Sequence, residues 1–151
     1  MGACNLVIVV FSLIVPLILF TATADAEATE FHDRKLVYVR GLQTRHVQVY
    51  NNLTNGDSFG IHCKSKDNNL GFHIMGPNQV YQFKFKANVW GSTRFYCGVS
   101  LKGDRGVVFD LFKDSRDGTR CPTFCRWSVF RDGVHGYRED TGAEDQFFAF
   151  N

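Results

Sequence analysis

Ile61-His62-Cys63-Lys64-Ser65-Lys66-Asp67-Asn68-Asn69-Leu70-Gly71-Phe72-His73 is the stretch whose reading decides the fold. It begins in alternation: Ile61 and Cys63, with Phe59 before them, fall on one side, and Gly60, His62 and Lys64 on the other. That period of two belongs to a half-buried strand. Lys64 to Asn69 then carries no apolar residue and reads as a polar turn, after which Leu70-Gly71-Phe72 is expected to resume the core. A half-buried strand, a charged turn and a second strand together make a hairpin-like unit.

The same pattern extends in both directions. Upstream, Val47 and Val49 alternate with Gln48 and Tyr50, and Asn55-Gly56 gives a strong hairpin turn. Downstream, Tyr81, Phe83 and Phe85 alternate with Gln82, Lys84 and Lys86. Phe95, Cys97 and Val99 do so with Tyr96, Gly98 and Ser100, and Cys125, Trp127 and Val129 form one face of a later strand. Turn clusters recur at Gly76-Pro77-Asn78, Lys102 to Gly106, Asp114 to Gly118 and Arg131-Asp132-Gly133. No long window has the 3.6-residue period of an amphipathic helix. Short strands closely spaced by turns predict an all-β protein, a small antiparallel β-sandwich. Its interior is expected to hold Val49, Ile61, Phe83, Phe95, Val99, Trp127 and Val129.

The first residues are of another kind. Leu6 to Phe20 is almost wholly apolar, and small residues follow at Ala22, Ala24 and Ala26. This is the layout of a cleaved secretory signal peptide over residues 1–26, and the run is shorter than the ~20 residues a membrane span needs. The organisation expected is therefore signal peptide 1–26, a flexible mature N-terminal segment 27–41, a sandwich 42–137 and an acidic, aromatic tail 138–151. The chain has a net charge of +2, which loss of Asp25 with the leader raises by one. With no block of Lys or Arg, it does not read as a nucleic-acid-binding protein.

Of five cysteines, Cys4 lies in the leader. Cys63, Cys97, Cys121 and Cys125 remain, and in an exported domain an even set reads as two disulfides. Three connectivities are open. The short spacer with Pro122 disfavours Cys121–Cys125, and the apolar strand faces of Cys63 and Cys125 favour Cys63–Cys125 with Cys97–Cys121. Asn52-Leu53-Thr54 is an N-glycosylation sequon in a turn, so Asn52 is expected to carry a glycan.

Candidate chemistry is sparse. His62 and Cys63 are adjacent on a strand and point to opposite faces, so they cannot act as a base–nucleophile pair. A zinc site from Cys121, Cys125 and a histidine is disfavoured by the spacing and by oxidation, and no metal or cofactor is expected. Most aspartates sit in turns, where they hydrogen-bond their own backbone. A hydrolase or a carbohydrate-binding module is the alternative; either would need convergent polar residues in a pocket, and a cleft holding His62, His73 and two carboxylates would favour the enzyme.

Val47 to Leu53, His62-Cys63-Lys64-Ser65-Lys66-Asp67 with Leu70-Gly71, Phe95-Tyr96-Cys97, and Cys121 through Cys125-Arg126-Trp127 followed by Arg131-Asp132-Gly133 together resemble the plant self-incompatibility S1 family. The resemblance covers roughly residues 42–137. It departs at Leu101, where the family often has Trp, and in the longer tail. What it implies is a small secreted extracellular β-sandwich that is not an enzyme, acts as a monomer and is a ligand for a membrane receptor, as in rejection of self pollen. On that reading, exposed turns carry the contact residues: Lys64, Lys66, Asp67, Asn68, Asp57, Arg116 and Asp117.

Overall fold

The computed structural model describes residues 43–103 and 105–151; the expected signal peptide (1–26) and N-terminal segment (27–41) lie outside them. Among the described residues nine strands are present: β1 (Thr44–Asn51), β2 (Phe59–Lys64), β3 (Asn69–Met75), β4 (Val80–Lys86), β5 (Arg94–Ser100), β6 (Gly106–Lys113), β7 (Phe124–Val129), β8 (Gly133–Tyr137) and β9 (Glu144–Ala149). One short helix, α1 (Asp114–Arg120), separates β6 from β7. The strands form two sheets, β4-β1-β7-β8-β9 and β3-β2-β5-β6. All neighbours are antiparallel except β1 and β7, which run parallel. This is the β-sandwich that the alternation predicts.

Alternation places the core. Val47 and Val49 of β1, Phe59, Ile61 and Cys63 of β2, Phe95, Cys97 and Val99 of β5, and Trp127 and Val129 of β7 are all buried. Phe83, on the edge strand β4, is half-buried against them. Toward one end Phe85 meets Phe95 at 4.6 Å and Phe112 at 4.8 Å. Elsewhere Phe109, Trp127 and Phe148 pack at 5.1–6.1 Å. Each fully buried Phe side chain among them contributes roughly 1.5–3 kcal/mol relative to leaving it exposed.

Three expectations need correction. The disulfides are Cys63–Cys97 and Cys121–Cys125, not Cys63–Cys125 and Cys97–Cys121. Cys63 and Cys97 are direct register partners on β2 and β5, with Cα atoms 4.1 Å apart; Cys125 lies in the other sheet. Between Cys121 and Cys125 the chain turns, which brings their Cα atoms to 5.0 Å despite the short spacer.

The second correction is the segment Asp114–Arg120, a helix and not a loop. It has no apolar stripe, so periodicity does not reveal it, and the face it buries is charged. The third is the tail. Residues 144–149 form β9, paired with β8 from Gly133↔Ala149 to Tyr137↔Glu144, so the sandwich does not stop at 137. Phe148 joins the core, while Phe147 is 49% exposed.

Candidate recognition surfaces

Strand direction divides the loops between two ends. At one end lie the β2–β3 turn, the β4–β5 loop, α1 and the β8–β9 turn; at the other lie the β1–β2, β3–β4, β5–β6 and β7–β8 connections. The second end is tied by Asn51, 6% exposed, whose Nδ2 donates to the carbonyls of Asp57 (3.0 Å), Met75 (3.0 Å) and Gly76 (2.9 Å). Its Oδ1 accepts from the N–H of Leu53 at 2.9 Å. The adjacent Asn52, by contrast, is exposed.

The expected contact residues therefore do not share one surface. Lys66, Asp67 and Asn68 are exposed and Lys64 is half-buried, all at the β2–β3 turn. This turn is fixed by Ser65 N–H to Asn68 O (2.8 Å) and by Asn68 N–H to Ser65 Oγ (3.0 Å). Asp57 is at the opposite end, where Arg131 Nη2 reaches its Oδ2 at 2.9 Å beside a cleft of about 300 Å³.

Arg116 and Asp117 lie on α1, at the same end as the β2–β3 turn, where both are tied into an ion-pair network. Asp117 is fully buried and accepts from Lys113 N–H (2.8 Å), Arg116 (2.7 and 2.9 Å) and Arg120 (3.3 Å). Arg120 in turn donates to Asp145 at 2.8 and 2.9 Å. Both guanidinium groups lie over Trp127, at 5.4 and 4.9 Å from its ring. This network fastens α1 and β9 to the core, with Asp117 and Arg120 buried in it and Arg116 half-buried at its edge.

The histidines do not converge. In register His62 lies opposite Phe72, and His73 opposite Ile61, so the two point to different faces of their sheet. His62 Nε2 contacts Asn69 Oδ1 at 2.7 Å, and His73 Nε2 donates to Leu70 O at 2.9 Å while its ring meets Tyr81 at 5.1 Å. Among the described residues no group of three His, Cys, Asp or Glu side chains is placed to hold a metal ion.

A different histidine is engaged by carboxylates. His135 lies 3.0 Å from Asp132 and 2.9 Å from Glu144, between the rings of Phe130 and Phe147. Burial works against its charged form, but the bonds to Asp132 and Glu144 outweigh it and raise its pKa. Glu139, at the start of the tail, also departs from its ordinary range. Burial pushes it up, yet the Thr123 hydroxyl and the N–H groups of Thr123 and Phe124 prevail and lower it.

Two surface features lie beyond the sequence reading. The outer face of the β3-β2-β5-β6 sheet exposes Phe72 (60%), Ile74 (70%) and Val108 (74%), with Tyr96 beside them, so Phe72, opposite His62 in register, faces outward and not into the core as its sequence suggests. The register aligns Phe72, His62, Gly98 and Val108 in one row across the four strands. The outer face of the other sheet is polar where β1 meets β4, with Gln48 bonded to Gln82. Strand alternation signals the apolar face only once strand order is known. The second feature is Trp90, 87% exposed on the β4–β5 loop. The turn residues Asn88, Gly91, Ser92 and Thr93 around it were its signal.

The comparisons with known proteins agree with this architecture. The family model described as plant self-incompatibility protein S1 matches residues 46–150, a span that includes the tail. S-protein homolog 6 of Arabidopsis thaliana is 40% identical over 108 residues, covering 72% of this chain and 76% of that protein. Self-incompatibility protein S1 of Papaver rhoeas is 32% identical over 95 residues, 62% of this chain and 68% of that one. A solved structure, described as a self-incompatibility protein homologue from a widespread family of small, highly stable, secreted plant proteins, superposes with a TM-score of 0.55 at 14% identity. It covers 74% of this chain and 97% of its own. Secretion, expected from Leu6 to Ala26, is thus the localisation described for the family. The chain belongs to the plant self-incompatibility protein S1 family.

Proposed function

We propose that the mature chain is a monomeric secreted recognition ligand that binds a membrane receptor on a target cell and catalyses no reaction. The process is rejection of self pollen or another cell–cell recognition event. The observation that carries this reading is the β2–β3 hairpin. Its turn presents Lys64, Lys66, Asp67 and Asn68, and its outward side presents Phe72 and Ile74 at 60% and 70% exposure. An apolar patch rimmed by charges of both signs is the composition of a protein contact surface; the apolar centre supplies affinity and the charged rim supplies discrimination. Asp57 belongs to the other end, so the contact surface is the hairpin alone.

The test pairs two variants of the purified mature protein, Phe72→Ser with Ile74→Lys, and Lys64→Glu with Lys66→Glu and Asp67→Lys. Both are expected to keep the melting temperature and to lose binding to target-cell membranes. Full binding by both variants would refute the hairpin as the receptor surface. Asn52 is proposed as a glycosylated residue: it is exposed at the end opposite the β2–β3 turn, where a glycan would leave that turn open. Asn52→Gln should remove the glycan, read as a mass loss, and leave stability unchanged.

A further inference from the structure

Between the β2–β3 turn and the β4–β5 loop lies a cleft of about 390 Å³. Phe85 and Phe95 line it, with the polar side chains of Asn68 and Thr93. Three cations, Lys66, Lys86 and Arg94, also line it, against one acid, Asp67. Arg94 is held by Asp110 at 2.6 Å, whereas among the described residues neither Lys66 nor Lys86 has a carboxylate partner. The cleft therefore carries uncompensated positive charge.

The β4–β5 loop, which lines the cleft through Asn88, Ser92 and Thr93, also carries the most exposed large apolar side chain of the described residues, Trp90. The loop beneath it is fixed by its own bonds: Asn88 N–H to Thr93 Oγ1 (2.8 Å), Asn88 Nδ2 to Ser92 Oγ (2.9 Å), and Ser92 N–H to Asn88 Oδ1 (3.0 Å). Gly91 supplies the positive φ of 67° that the turn needs, and Thr93 O accepts from Asp114 N–H at 3.0 Å. The loop that presents the indole is thus ordered before binding, so little backbone entropy remains to be lost there.

We propose that this cleft binds an acidic polysaccharide, with Trp90 stacked on a sugar ring and Lys66 and Lys86 paired with uronate carboxylates. The negative face of an indole attracts the weakly positive C–H bonds on a pyranose face. Fixed amide and hydroxyl groups suit sugar hydroxyls, and lysines suit single carboxylates spaced along a chain. A folded protein partner needs roughly 800 Å² of matching surface per side, whereas a string of sugar rings fits a small concave polar cleft. The site goes beyond the receptor reading and does not rest on it: the two share the β2–β3 turn at Lys66, but Trp90 and Lys86 lie off the hairpin, and Phe72 and Ile74 lie outside the cleft lining.

Calorimetric titration of the mature protein with oligogalacturonate tests this. The wild type should bind, with affinity falling as salt rises, and should ignore the fully methyl-esterified probe. Trp90→Ala, and Lys66→Ala with Lys86→Ala, should each weaken binding roughly tenfold or more without moving the melting temperature. Phe72→Ser with Ile74→Lys should bind the probe as wild type does, which separates this site from the receptor surface. The proposal is overturned if the wild type fails to bind at low salt, if the esterified probe binds equally, or if Trp90→Ala binds as tightly as wild type. Loss of binding in the hairpin variant would overturn the location. Equal, Trp90-dependent binding of poly-glutamate would overturn the saccharide and assign the cleft to an acidic peptide.

Discussion

Consider two variants, Cys63→Ala with Cys97→Ala and Cys121→Ala with Cys125→Ala. All four sulfurs are fully buried, so the packing lost on truncation is of similar size in each pair and largely cancels between them. What differs is the loop each bridge closes in the unfolded chain, a separation of 34 residues for Cys63–Cys97 and 4 for Cys121–Cys125. Chain-entropy scaling gives about 4 kcal/mol for the first and about 2 kcal/mol for the second. The Cys63–Cys97 variant should therefore be the less stable by about 2 kcal/mol, near 10 °C in melting temperature for a domain of this size. Urea unfolding followed by Trp fluorescence measures this, with Trp127 the buried reporter. The extrapolated stabilities must be compared, not the midpoints, because removing a cross-link also changes the slope. A Cys121–Cys125 variant as unstable as the other, or more so, would refute the reasoning. The short bridge would then act through the native turn before β7 and not through the unfolded state.

Asp117→Ala leaves Arg120 buried with Asp145 as its remaining acid, and should cost about 3–5 kcal/mol in urea unfolding; a loss under about 1 kcal/mol would remove the network from the stabilising features. Asn51→Ala strands three carbonyl acceptors and should cost about 1–3 kcal/mol, so a neutral result would mean water satisfies them. His135 has a raised pKa because Asp132 and Glu144 favour its charged form in the fold. Its contribution is therefore fully present below the unfolded value, near 6.5, and is lost as pH rises through the higher folded value. Stability measured against pH should fall across that window in wild type, and His135→Gln should flatten it; an unchanged profile would sink the assignment.

The strands were legible because each needs only its own alternation. Phe59, Ile61 and Cys63 against Gly60, His62 and Lys64 describe β2 without reference to any neighbour, and the same holds for β1, β5 and β7. The disulfides were not legible, because pairing depends on strand order, and nothing local says that β2 lies beside β5 and apart from β7. Helix α1 escaped for a different reason. Its buried face is Asp117 and Arg120, and a charged residue reads as solvated until a partner such as Asp145 appears from a distant strand. Strand β9 opens on Glu144 and Asp145, which resemble a polar tail until they pair with β8 and bring Phe148 against Trp127. The receptor candidate Asp117 failed in the same way: a turn-like composition located it correctly in the chain and wrongly at the surface.

One position couples the core to the proposed receptor surface. The sandwich is fastened at one end by Asn51 and at the other by the Asp117 network, so most exposed side chains can change without disturbing it. Gly60 is the exception. It lies on β2 between the buried Phe59 and Ile61, and a Cβ there would sit 2.6 Å from the ring of Phe72 and 2.7 Å from Ser100 Oγ. The Phe72 ring rests across β2 only because no side chain stands beneath it. Gly60→Ala must therefore displace the ring. Phe72 is 60% exposed, so the ring has open solvent to move into, and the expected loss of stability is small. Binding to the target cell should fall with it, because the apolar patch loses its arrangement while every residue of the patch is still present. A Gly60→Ala protein with an unchanged melting temperature and full binding would show that the partner does not read the position of Phe72. The apolar centre of the hairpin surface would then have to be abandoned.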